Sequence, residues 1–287
     1  MSAAHKLAGF SAALVLVFAG AALAGGAVEP LRDQTPAAKP HGGGMAAMEN
    51  DAHGAETMGA QPVRGLAVSE GGLTLKLART AREPGKAFNL AFRIVDRSGQ
   101  TVRDFDVEHT KRMHLIVVRR DMTGFQHLHP RQRADGSWSV PVRLREAGGY
   151  RVFADFSVHG KAQTLADDLQ VDGTVRSRPL PAPRPTARVD GLKVRLTEGA
   201  GHAADESELG FTVRRNGHPV AAQSYLGAKG HLVALRQGDL AFLHVHPDEN
   251  SLKFMATFPA AARYRLFLQF KIDGRVHTAA FTQEVTR

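Results

Sequence analysis

His114-Leu115-Ile116-Val117-Val118, closed by Phe125-Gln126-His127-Leu128-His129-Pro130, recurs as His231-Leu232-Val233-Ala234-Leu235, closed by Phe242-Leu243-His244-Val245-His246-Pro247. Over the 17 positions that start at 114 and at 231, the copies share His, Leu, Arg, Phe, His, His and Pro without a gap, and these 7 identities fix the alignment of what surrounds them. Tyr150-Arg151-Val152-Phe153-Ala154-Asp155-Phe156 then falls over Tyr264-Arg265-Leu266-Phe267-Leu268-Gln269-Phe270. Self-similarity of this kind means one structural module written twice. Each copy carries three imidazoles close enough in sequence to meet.

Outward from the repeat the chain reads as β structure. Short runs alternate in Leu73-Thr74-Leu75-Lys76-Leu77, in Phe88 to Val95 ahead of Ser98-Gly99, and in Trp138 to Leu144 ahead of Gly148-Gly149. Leu192 to Leu196 and Leu209 to Val213 answer the first two in the second copy. Alternation of period two marks strands, and no long stretch carries helical period. Seven or eight short strands in about 100 residues is the pattern of an immunoglobulin-like sandwich. The expected fold is therefore all-β, two tandem immunoglobulin-like β-sandwiches at 63–173 and 187–287. Between them Pro179-Leu180-Pro181-Ala182-Pro183-Arg184-Pro185 holds the backbone extended and makes 174–186 a linker.

Residues 7–28 carry no charge, with Lys6 before them and Glu29 after. This stretch suits either a membrane anchor helix or a signal peptide cleaved after Ala22-Leu23-Ala24. Both alternatives put everything beyond Val28 outside the cytoplasm. Residues 29–62, rich in Ala, Gly and Pro, read as a disordered tether holding a sparse series of His41, Met45, Met48, His53 and Met58. With no cysteine among 287 residues, disulfides and thiolate metal sites are excluded. The net charge of +9 suits an anionic envelope partner, and export argues against nucleic acid. Arg119, Arg120, Arg131 and Arg133, which border the first histidine group, read as a solvated strand edge.

If residues 121–124 form a hairpin loop, Val118 pairs with His127 and Ile116 with His129. Side chains two apart on a strand share a face, as do cross-strand partners, so His114, His127 and His129 emerge together. Equal spacing gives His231, His244 and His246 the same arrangement. Three nitrogen ligands without a thiolate favour Cu(II) or Zn(II). Asp155, His109 and Met113 are possible accessory donors near the first set. There is no nucleophile elbow, phosphate-binding loop or HExxH pair, and the cupin glutamate is missing at its usual place after His129, so a non-enzymatic role is expected.

The runs Met113 to Asp121, Phe125 to Pro130 and Gly149 to Phe156 resemble exported actinobacterial proteins with tandem immunoglobulin-like domains, secreted or membrane-bound and of unknown function. More distantly, each module is similar to YtkA-like and copper-resistance carrier β-sandwiches, which implies metal handling in the envelope. An amino-terminal copper brace is not implied, because cleavage after Ala24 exposes Gly25 rather than histidine. Two functions are expected from different classes. One is a copper or zinc carrier with a three-histidine site in each module, so about two ions per chain, and an affinity that collapses below roughly pH 6. The other is an interaction module, anchored or secreted, that docks to an envelope protein or anionic polymer and whose histidines are structural.

Overall fold

In module 1 the alternating runs become β2 (Leu73–Leu77), β3 (Ala87–Val95) and β7 (Trp138–Arg143), and the other strands are β1 (Ser69–Glu70), β4 (His114–Arg119), β5 (Gln126–Leu128), β6 (Arg131–Gln132), β8 (Gly148–Val158) and β9 (Lys161–Val171). Module 2 continues with β10 (Thr186–Val189), β11 (Leu192–Glu198), β12 (Glu206–Arg215), β13 (His218–Pro219), β14 (Gly230–Arg236), β15 (Phe242–Leu243), β16 (His246–Pro247), β17 (Lys253–Thr257), β18 (Ala262–Ile272) and β19 (Arg275–Val285). This computed structural model describes residues 63–78, 82–243, 245–248 and 250–287, with the His246 side chain excepted. The expected leader at 1–28, the tether at 29–62 and His244 lie outside the described residues. Among the described residues no helix is long and apolar enough to cross a membrane.

Each module is two antiparallel sheets. Module 1 sets β1-β2-β3-β7-β6 against β5-β4-β8-β9, and module 2 sets β10-β11-β12-β17-β16 against β15-β14-β18-β19. In immunoglobulin lettering the main strands run A-B-E-D against C′-C-F-G, which is the immunoglobulin-like order. A second mark of that fold is the tyrosine corner, where a tyrosine near the start of strand F bonds back to the chain just upstream. Here the Tyr150 hydroxyl donates to Glu146 O at 2.9 Å, and that of Tyr264 donates to Ala260 O at 2.9 Å. Both rings are buried, so removing either hydroxyl loses a bond that ties the strand to the chain just ahead of it. Tyr264→Phe is expected to cost about 1–2 kcal/mol in urea unfolding, and a loss below a few tenths would show that the corner carries no stability.

The apolar runs of β4 and β14 do not alternate because both faces of their sheet are covered. Leu115 and Val117 enter the core of module 1, with Trp138, Tyr150 and Phe156, and Leu232 and Ala234 enter that of module 2. Ile116 and Val118 point the other way and meet Val233 and Leu235 in a third buried cluster, formed where the two C′CFG sheets pack against each other. Two ring pairs tie this seam: Phe153 with Phe242, centroids 5.5 Å apart, and Phe125 with Phe267, stacked at 4.1 Å. Phe125 aligns with Phe242 in the repeat and Phe153 with Phe267, so the same contact is made twice about a pseudo-twofold axis.

The segment leading into module 1 crosses the seam as well. Gly65 N donates to Thr164 O at 3.1 Å, and Phe242 N donates to Arg64 O at 3.0 Å. Gly65 has φ +71°, and a Cβ there would lie 2.8 Å from both Phe153 and Phe242, so only glycine fits. Arg119 departs from the expected solvated edge. It is 2% exposed, paired with Glu146 and Asp121 and donating to Arg176 O at 2.6 Å. A guanidinium placed this deep needs such partners. Arg120 remains at the surface, paired with Asp168.

Candidate metal centre

The β4–β5 hairpin differs from expectation by two residues of register. Ile116 pairs with His127 and Leu115 with Leu128, because the chain turns earlier, with Arg119 N bonded to Thr123 O and Met122 N to Arg119 O. A slip of two preserves the face of every side chain, whereas a slip of one would invert it. His114, His127 and His129 therefore still converge, each offering a ring nitrogen within 4.8 Å of the others. Met113, considered as a donor, is instead buried in the core of module 1. Its neighbour His114 faces the seam, and adjacent residues of a strand point to opposite sides.

His127 Nδ1 lies 2.7 Å from Gln269 Oε1, a carbonyl oxygen that only accepts, so in the neutral ring that nitrogen carries the hydrogen and His127 Nε2 is bare. His114 Nδ1 faces this bare nitrogen at 3.0 Å and His114 Nε2 lies 3.3 Å from Glu108 O, so the single hydrogen of neutral His114 serves one contact or the other according to its tautomer. His129 Nε2 is buried with no hydrogen-bond partner. The surroundings resist a second proton on any of these rings. Burial, with the charges of neighbouring imidazoles added, holds His127 well below the usual imidazole range and pushes His129 down to about 4. His114 is also lowered by burial, opposed in part by Asp155.

A metal ion would take the place of the hydrogen between the two rings. With nitrogen ligands at about 2.0–2.1 Å, two of them stand about 2.9 Å apart at right angles and about 3.3 Å apart at the tetrahedral angle, and 3.0 Å lies in that range. The adjoining cavity, lined by Glu108, His109, His114, His127, Asp155 and His231 among others, has about 50 Å³, room for an ion with a water. Asp155 is the cross-strand partner of His114 and accepts a hydrogen bond from Thr164 at 2.7 Å, which places its carboxylate beside the rings.

His109, considered as an accessory donor, reaches the group on a tight turn. Glu108 and Lys111 bond reciprocally, and His109 and Thr110 between them have φ of 48° and 68°, a tight turn of the type I′ kind that non-glycine residues adopt at a cost. Its ring centroid lies 6.4 Å from that of His114 and 5.4 Å from that of His231. His231, expected in a separate second site, lies near this group, with its ring 6.3 Å from His127. It is pushed down to about 4 by burial and donates from Nε2 to Tyr225 O at 2.9 Å. Of its two expected companions, His244 lies outside the described residues and the His246 side chain is likewise not described. Among the described residues one three-imidazole cluster is present.

Fold and site together define a tandem immunoglobulin-like sandwich protein with a buried imidazole cluster where its halves meet. The chain belongs to the family described as a domain of unknown function (DUF8832), which matches it twice, at residues 67–173 and 187–287. No curated protein matches. Among solved structures the chain is similar to FdeC, a broadly conserved Escherichia coli adhesin, at 14% identity over 77% of this chain and 66% of that one, with a TM-score of 0.27. A Salmonella alpha-2-macroglobulin is similar at 16% identity over 78% and 15% of the two chains, TM-score 0.28. The bacterial integrin-binding protein invasin is similar at 15% identity over 74% and 39%, TM-score 0.21. The chain thus spans 66% of the adhesin and smaller shares of the others. Its fold assignment rests on strand order and the tyrosine corners.

Proposed function

We propose that this is a non-enzymatic, extracytoplasmic binding protein that holds one copper(II) or zinc(II) ion with His114, His127 and His129 for sequestration or transfer. The observation that carries the reading is the convergence of His114, His127 and His129, whose ring nitrogens lie within 4.8 Å of one another, with His114 Nδ1 and His127 Nε2 3.0 Å apart. Burial keeps these rings neutral, the form that ligates a metal. The chemistry of three neutral imidazoles selects borderline metals over calcium or magnesium, which prefer oxygen. Asp155 is an accessory to this set rather than a member. Attachment to the membrane through residues 1–28, or to an envelope protein or anionic polymer through the basic surface, belongs to the same proposal.

Isothermal titration of the chain with copper and with zinc tests it. One tight ion per chain is expected, and the double change His127→Ala with His129→Ala should weaken binding by at least about 100-fold, on the scale at which even outer contacts of a metal site matter. His129→Gln, which keeps size and polarity, should do nearly as much while circular dichroism stays unchanged. Wild-type protein that takes up neither metal would leave the other class, an immunoglobulin-like interaction module with structural histidines.

A further inference from the structure

In module 2, His231 on β14 and Gln269 on β18 are cross-strand partners, so their side chains emerge from the sheet side by side. In module 1 the equivalent pair is His114 and Asp155. The two C′CFG sheets face each other across the seam, and the module 2 pair arrives at the module 1 histidines. Gln269 Oε1 takes the His127 Nδ1 hydrogen at 2.7 Å, while the Gln269 amide donates to Thr278 Oγ1 at 3.3 Å, which orients it. His231 gives its own Nε2 hydrogen to Tyr225 O, leaving His231 Nδ1 bare and without a hydrogen-bond partner among the described residues.

We infer that the metal site is shared across the seam: the cross-strand pair His231 and Gln269 of module 2 completes it, His231 as a fourth nitrogen ligand and Gln269 as the positioning residue that holds His127 with Nε2 free to coordinate. This rests on the three-histidine site proposed above and deepens it. His231 closes onto the ion by a side-chain movement, since its ring stands 6.3 Å from that of His127 before any ion binds. Three imidazoles from one module and one from the other would give the closed four-coordinate set typical of a tightly held ion. Histidines that ligate metals almost always pass their second ring hydrogen to an oriented acceptor, and loss of that acceptor typically weakens binding 10- to 100-fold. Because acceptor and fourth ligand come from the opposite module, whatever binds the ion also holds the halves together.

The test uses the full chain with zinc(II) and copper(II) as probes. Gln269→Leu, which removes the acceptor, should weaken affinity about 10- to 100-fold, whereas Gln269→Glu, which keeps an oxygen at that position, should restore it to within about threefold or tighten it. His231→Ala should weaken affinity at least about tenfold, and the nitrogen hyperfine pattern of the copper(II) protein should drop from four coupled nitrogens to three. A merely structural Gln269 would lower the melting temperature of the metal-free protein and leave affinity alone. If Gln269→Leu or His231→Ala keeps affinity within threefold while the His127 and His129 changes abolish it, the shared site is overturned and the three-histidine site stands. If wild-type protein binds neither metal, the three-histidine reading itself has failed.

Discussion

Phe153→Ala is expected to cost about 3–5 kcal/mol and to split one unfolding transition into two. The Phe153 ring is fully buried, yet it belongs to neither sandwich core. It sits in the seam cluster, with Phe242 of the other module 5.5 Å away. Truncation therefore leaves both module interiors filled and empties the contact between them. A whole domain is stable by only about 5–15 kcal/mol, so losing this much from the seam alone should let each module unfold at its own temperature. Calorimetry of the wild type should show a single peak and that of the variant two. A single peak moved by an amount worth less than about 1 kcal/mol would mean that the aromatic contact contributes little to cohesion. Phe267→Ala, at the equivalent position of the second copy, should give the same splitting, because it removes the partner of Phe125.

Metal affinity should outlast the loss that free imidazoles would show near pH 6, with protonation of the His129 ligand reached only at about pH 4. Reasoning from free imidazole placed the failure near pH 6. At pH 5 a free imidazole of pKa about 6.5 prefers its proton by about thirtyfold, so three such ligands would lose roughly 10⁴ in affinity. The site differs because burial, the leading cause, pushes His129 down to about 4 and His127 well below its usual range. Protons then compete little until the solution reaches that range. The sign for stability is the reverse of comfort: between about 6.5 and 4 the unfolded chain takes up protons that the folded chain refuses, so stability of the metal-free protein falls as pH falls through that window. Competition titrations at pH 7.5 and 5.0 check the first statement, and urea midpoints across the same range check the second. A tenfold loss of affinity between pH 7 and 6 would show that the ligands are solvent-exposed imidazoles rather than these.

Much of the fold could be read from residue order, because strand period and the repeat are local signals. The face of the histidines survived an error in the hairpin because the turn at Arg119 to Thr123 moved the pairing by an even number. Met113 was readable and misjudged: next to His114 on an extended strand it had to point inward. Gln269 and His231 were different. Their place beside His127 depends on the packing of two sheets more than 100 residues apart in sequence, and nothing in the spacing of either copy encodes which surfaces of a duplicated module meet. A faint trace did exist. Ile116, Val118, Val233 and Leu235 make β4 and β14 apolar on both faces, the mark of a sheet covered on both sides. Recurrence of Phe125 as Phe242 is explained the same way, by ring contacts across the seam.

The short stretch Arg64-Gly65, pinned to β9 through Thr164 and to β15 through Phe242, has a mechanical consequence. Tension applied from the amino-terminal side reaches both sandwiches at once, and reaches them along the line where they join. The bonds at Thr164 O and Phe242 N would be loaded before any sheet is peeled from its own module. Pulling on the chain thus loads the grip of this segment on both halves first.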